Sequence, residues 1–83
     1  MTQVNANHSI DLGVVYRHYK TQKLYEVIGQ ARHSETYEEM VIYKALYLCE
    51  TFGNYQVWVR PKQMFFETVT HNGGNVPRFQ RVE

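Results

Sequence analysis

Residues 31–47, ARHSETYEEMVIYKALY, can be read as a helix or as a turn leading into a strand, and the choice decides the fold. For the helix, Thr36 followed by Glu39 matches a capping box, and Tyr37, Met40, Val41 and Leu48 fall near helical spacing. Against it, Lys44 interrupts that stripe, and Val41-Ile42-Tyr43 combines poor helix propensity with good strand propensity. The reading adopted is a tight polar turn over Glu35–Glu39, at most one helical turn, followed by a strand over Met40–Tyr47.

Upstream, Val14–Tyr19 (VVYRHY) reads as a strand that ends in the polar turn Lys20–Lys23. Leu24–Ala31 alternates, with Tyr25, Val27, Gly29 and Ala31 on one face and Leu24, Glu26, Ile28 and Gln30 on the other, the mark of a half-buried strand. Gly29 within it predicts a bend or bulge. Downstream, Leu48–Asn54 is a loop and Tyr55–Arg60 (YQVWVR) a strand, stopped by Pro61, which has no amide hydrogen for a ladder. Lys62–Met64 reads as a short turn. Phe65–Thr70 and Val76–Arg81 then flank His71-Asn72-Gly73-Gly74-Asn75, a hairpin loop with glycines free to take positive φ.

This gives five or six short strands and one short 3₁₀ or helical turn, an all-β chain. There are too few strands for an immunoglobulin sandwich, and no long helix as in many OB folds. A small SH3-like barrel is the expected architecture, because closure protects strand edges. Residues 1–9 (MTQVNANHS) read as a flexible N-terminal tail, residues 10–83 as a single barrel domain, and Gln80–Glu83 as a shorter tail within it.

A chain of 83 residues buries only ~60–65% of its unfolded surface. The aromatic share of 14% compensates, because broad rings let a small core bury area. A net charge of +1 excludes a strongly electrostatic, sequence-blind nucleic-acid binder, though not a local basic patch. The one cysteine, Cys49, can form neither an internal disulfide nor a cysteine-rich zinc site. With no signal peptide or membrane-spanning run, a cytoplasmic protein without membrane contact is expected.

Gly13, Tyr16-Arg17-His18-Tyr19-Lys20, Tyr25, Val27, Gly29 and Ala31–Thr36 form a specific combination. It continues through Val41, Tyr43–Tyr47, Trp58–Pro61, Met64-Phe65, Glu67-Thr68-Val69 and Val76–Phe79. Together they resemble a small bacterial family labelled domain of unknown function 1653. The resemblance runs from Gly13 to Phe79. It implies an SH3-like barrel and brings no activity and no residue roles.

The residues themselves suggest three kinds of chemistry. His33 and Glu35 form an H-x-E whose side chains share a face in extended chain, and His18 could join them as a metal or acid–base set. Zinc deaminases need a downstream P-C-x-x-C as well, which this chain lacks. The plainer reading is that these groups bond backbone amides in a turn. Ser34 between His33 and Glu35 cannot make a triad, since adjacent extended side chains diverge, and Cys49 has no cationic neighbour in sequence.

The third is a recognition face. If Val57 and Val59 point inward, Trp58 and Arg60 point outward together, as do Arg17 and Tyr19 on the first strand. Exposed rings beside arginine suit stacking and anion binding. The alternative is that Trp58 is core and Arg60 bridges Glu35 or Glu39. Lys44-Ala45-Leu46-Tyr47 is similar to the ALYDY stretch of peptide-binding SH3 domains, but the spacing to Trp58 is too short for that mode.

The expected function is a binding module for a nucleic acid such as RNA, a nucleotide or a peptide. Its face would comprise Arg17, Tyr19, Arg32, His33, Ser34, Glu35, Thr36, Trp58, Arg60 and Arg78, with no cofactor. The rivals are a small enzyme using His18, His33 and Glu35, and a scaffold that oligomerises through an exposed sheet edge.

Overall fold

The computed structural model describes residues 10–82; the expected tail over residues 1–9 lies outside them, as does residue 83. Strand β3 (Glu39–Ala45) settles the opening ambiguity. Val41, Tyr43 and Ala45 are buried and the intervening residues are not, the period-2 burial of a strand. The turn before it spans His33–Glu38, closed by the His33 amide on the Glu38 carbonyl at 2.8 Å, with Tyr37 at φ +66°.

β3 pairs antiparallel with β2 (Leu24–Arg32), and β2 with β1 (Val15–His18). The β2–β3 register slips between Val27 and Gly29, leaving Ile28 as the extra residue of a bulge, beside the glycine where a bend or bulge was expected. On the far side of β3 lies β4 (Val57–Pro61). Pro61, at φ −53°, carries the chain into a single helical turn, α1 (Lys62–Phe65), so the short turn is α-helical. β5 (Thr68–His71) and β6 (Gly74–Pro77) form a hairpin over Asn72-Gly73, at φ +54° and +82°. A two-residue turn with both central φ positive matches strand twist, and Asn-Gly adopts it at least cost.

The expected run Val76–Arg81 divides in two. After Pro77 the Arg78 amide turns to the Glu67 carbonyl at 2.9 Å, and β7 (Phe79–Arg81) joins β1 instead of β5. Seven strands result among the described residues, where five or six were expected. Gln80 and Arg81 are therefore sheet residues, not a tail, and the Val82 amide bonds the Val15 carbonyl at 2.9 Å.

The SH3-like barrel is not formed. One five-stranded sheet runs β4-β3-β2-β1-β7, and β5–β6 is a separate two-stranded sheet. The edge strands β4 and β7 do not pair with each other. The sheet curls until the Arg60 guanidinium of β4 stands 5.7 Å from the Phe79 ring of β7, a side-chain contact in place of a ladder. β7 is three residues long and pairs on one side alone, with β1, so its other edge meets β4 without a ladder.

The core lies in the concave side: Tyr16, Val27, Val41, Tyr43, Phe65 and Phe79. Phe65 projects from α1 and stacks on Phe79, with ring centres 4.3 Å apart and planes 8° apart, while Tyr16 and Tyr43 meet it edge-on at 5.2 and 5.3 Å. It is fully buried. Phe65→Ala is expected to cost about 3–5 kcal/mol, the range for truncating a buried phenylalanine. A domain of this size has little more than that to lose. Urea unfolding followed by far-UV dichroism checks it; a loss under 1 kcal/mol would show that α1 does not hold the core.

Candidate functional aromatic pocket

The pairing register decides which side of β4 faces the concave surface. Cross-strand neighbours share a face, and Trp58 lies opposite Tyr43 while Arg60 lies opposite Val41. Tyr43 and Val41 are buried, so Trp58 and Arg60 turn toward the core side, and Val57 and Val59 turn out, exposed by 46% and 56%. This reverses the inward assignment of the two valines. Trp58 is neither core nor freely projecting: it is 36% exposed, with Phe52 against it edge-on at 5.3 Å.

The gap left where the sheet does not close is a concave pocket of about 210 Å³, lined by His18, Tyr25, Tyr43, Tyr47, Trp58, Arg60 and Phe79. Every strand of the large sheet contributes to it. Tyr25 meets Tyr43, Tyr47 and Phe79 edge-on at 5.5, 5.5 and 5.7 Å. The Tyr25 and Tyr47 hydroxyls share a 2.7 Å hydrogen bond. Burial, and then that bond, push the Tyr25 pKa well above its ordinary value, so the hydroxyl stays neutral.

Cations surround this aromatic wall. Arg60 Nε donates to the Tyr43 hydroxyl at 3.2 Å, and Lys23 Nζ stands 4.4 Å over the Tyr47 ring. The ion pairs among the described residues join Arg32 and Lys62 to Glu39, Arg78 to Glu67, and Arg81 to Asp11. Arg60 has no acidic partner among them, and its two terminal nitrogens make no hydrogen bond there. Neither Glu35 nor Glu39 bridges it.

His18 sits at the rim, edge-on to Phe79 at 5.1 Å, with Nδ1 accepting the Lys20 amide at 3.1 Å. Its pKa is lowered, first by burial and then by the charges of Arg60, Arg78 and Lys20. The imidazole is thus held neutral inside a positive field.

The other expected site residues are dispersed. Arg17 is exposed on β1, on the face opposite buried Tyr16. Tyr19 lies just past β1, its ring 4.9 Å from His18 and 5.2 Å from His71. Arg78 is bound to Glu67 at 3.0 Å, with its Nε buried and unbonded among the described residues. Arg32 donates to the Tyr37 carbonyl at 2.7 Å. His33 Nδ1 accepts the Glu35 and Thr36 amides at 3.1 and 3.3 Å, and Thr36 Oγ1 accepts the Glu38 amide at 3.2 Å. Ser34 is exposed within this turn. The polar turn is self-bonded and does not line the pocket.

His18 and His33 sit beyond opposite ends of β2, whose nine residues span roughly 30 Å at about 3.3 Å each. They cannot share a metal with Glu35, and among the described residues no three His, Cys, Asp or Glu side chains gather into a metal-holding group. Among the described residues no helix is long and apolar enough to cross a membrane.

Four of the lining residues, Tyr25, Tyr43, Tyr47 and Phe79, carry no local signal of a site in the sequence. Their shared face becomes visible only once β2, β3 and β7 are in register.

The family model described as "Protein of unknown function (DUF1653)" matches residues 14–81. A crystal structure of a DUF1653 protein from Bordetella bronchiseptica is similar at 38% identity and a TM-score of 0.73, over 87% of this chain and 86% of that one. No curated protein matches.

A lowered histidine pKa means the unfolded chain binds the proton more readily. His18 therefore contributes stability that is fully present above pH 6.5 and is lost as the pH falls through its lower folded value. Chemical denaturation between pH 7 and 5 should show that decline. Arg60→Gln should raise the His18 pKa, read from its ring-proton shifts, and an unmoved pKa would mean that Arg60 does not govern the pocket's field.

Proposed function

The chain belongs to the DUF1653 family, and from that premise we propose that it is a small binding module for single-stranded RNA or a free nucleotide. One base enters the aromatic pocket, and Arg60 holds the phosphate beside it. The observation that carries this reading is Arg60 itself. It is a guanidinium seated among rings with one nitrogen spent on Tyr43 and no acidic partner among the described residues. Arginine grips phosphate through its terminal nitrogens, and those are the groups left over.

The pocket's shape supports a ring as the other half of the ligand. At about 210 Å³ it is smaller than the ~300–1,000 Å³ typical of drug-sized sites, so it takes one ring system and not an extended molecule. Trp58, Tyr47 and Tyr25 offer faces and edges, and base–aromatic stacking contributes ~1–3 kcal/mol per base. The low net charge limits the long-range attraction, so affinity rests on local contacts. A phosphate partner also suits a cation that finds no carboxylate in the pocket lining.

Trp58 is the chain's one tryptophan and lines the pocket, so its fluorescence reports occupancy. Titration with adenosine 5′-monophosphate, adenosine and a short single-stranded RNA should quench it. The phosphate-bearing ligands should bind at least about tenfold more tightly than the nucleoside, the scale of one charge-assisted contact. Arg60→Gln should bring adenosine 5′-monophosphate and adenosine level while leaving the amide spectrum folded. Raising salt should weaken RNA binding with a shallow slope of about −0.7 per phosphate engaged. Equal affinity for nucleotide and nucleoside in the parent protein, or no change in Trp58 with any of the three, would end this reading.

A further inference from the structure

The large sheet has two edges, and they are built differently. β7 is three residues long, and its Arg81 is tied to Asp11 at 3.7 Å, the short charged edge that proteins use against stray pairing. β4 is longer, and residues 55–61, YQVWVRP, contain no lysine, aspartate or glutamate. Six of the ten exposed large apolar side chains among the described residues fall between Leu48 and Val59. Exposed apolar side chains gathered along one edge of a small domain suit an interface.

The backbone gives the geometry. The Ala45 amide bonds the Gln56 carbonyl at 2.9 Å, and these residues continue the β3–β4 register as a hydrogen-bonded pair. Antiparallel pairs alternate, so Trp58 and Arg60 turn their amides and carbonyls toward β3, and Val57 and Val59 turn theirs to the open edge. Among the described residues nothing bonds either group of Val59 or the amide of Val57. The Val57 carbonyl has only the Gln56 side-chain amide, at 3.4 Å.

We propose that β4 pairs antiparallel with β4 of a second copy of this chain, centred on Trp58, joining two five-stranded sheets into one. That register sets Val57 opposite the partner's Val59 and satisfies all four outward groups of each copy. Centring on Val59 instead would turn the Val57 carbonyl onto the ring of Pro61, which has no amide to offer. The strand is its own complement in charge as well: Arg60 falls opposite Gln56 of the partner subunit, and Pro61 opposite Tyr55 of the partner subunit, so no like charges meet. Trp58 falls opposite its own copy at a non-hydrogen-bonded position, where side chains approach most closely and aromatic pairs are favourable. The pockets of the two copies then lie side by side at the join. The proposal does not depend on what the pocket binds.

Sedimentation equilibrium of the full chain over a dilution series tests it. The parent should shift between 9.9 kDa and twice that mass as concentration rises. Val59→Pro removes an outward amide without touching the β3 ladder, and should weaken the dimer about tenfold or more through the two hydrogen bonds lost. Val59→Lys, at an exposed position, should leave a monomer with a folded amide spectrum. A parent protein that stays at 9.9 kDa to millimolar concentration overturns the proposal. So does a dimer indifferent to both substitutions. A monomer whose Val59 amide resists hydrogen exchange overturns it too, by assigning the edge to another segment of the same chain.

Discussion

Phe79 is the contact on which the rest of the molecule depends. One of its faces stacks on Phe65 of α1, while Tyr25, Tyr43 and His18 meet it edge-on and Arg60 stands over the ring. It belongs to the last strand, yet it touches side chains from the first four and from the helical turn. A closed barrel holds its curl by an unbroken circle of hydrogen bonds, which here would have to join the edge strands β4 and β7. Here the curl is held by one ring, and the residual opening around that ring is the pocket. Fold and site are therefore one feature.

The same economy explains the pocket's polarity. A curled sheet that does not close leaves the ends of several strands converging on a gap, and whatever side chains stand there meet one another. Tyrosines suit the position, since their rings extend the core while their hydroxyls bond each other or Arg60. Arg60 suits it for a complementary reason: its guanidinium stands over the Phe79 ring at 5.7 Å and its terminal nitrogens remain available. A histidine among such neighbours is driven to neutrality, as His18 is.

Much of the fold was legible because its signals are local. The alternation in Leu24–Val27, the glycine at the bulge, Pro61 at a strand end and the Asn72-Gly73 turn each act within a few residues. Beyond the bulge the alternation shifts, and Gly29 and Ala31, expected on the face of Tyr25 and Val27, pair with Ile42 and Met40 on the other. The barrel was not legible, because closure depends on whether β4 reaches β7, a pairing across most of the chain that no local pattern encodes. The face of β4 failed for a related reason. Val57 and Val59 look like the inward pair by hydrophobicity, but the register with Val41 and Tyr43 overrules them. The polar turn Arg32–Thr36 drew attention as a candidate site through its density of hydrogen-bonding groups. The structure shows those groups bonding the turn itself. The pocket tyrosines, scattered over three segments, gave no comparable local signal.

The β1–β7 ladder has a consequence for how the domain assembles. Tyr16 pairs with Arg81 and His18 with Phe79, so the register joins residues from opposite ends of the described fold. The β2–β3 and β5–β6 hairpins close short loops, whereas this ladder closes the longest and bears the largest entropic cost of any pairing here. On kinetic grounds it forms late, after the hairpins have ordered the chain between. Phe79 arrives with it, so the ring that finishes the core and the ring that lines the pocket are delivered in a single event. A nascent or partly opened chain has its hairpins but no pocket, and the pocket becomes a property of the completed fold alone.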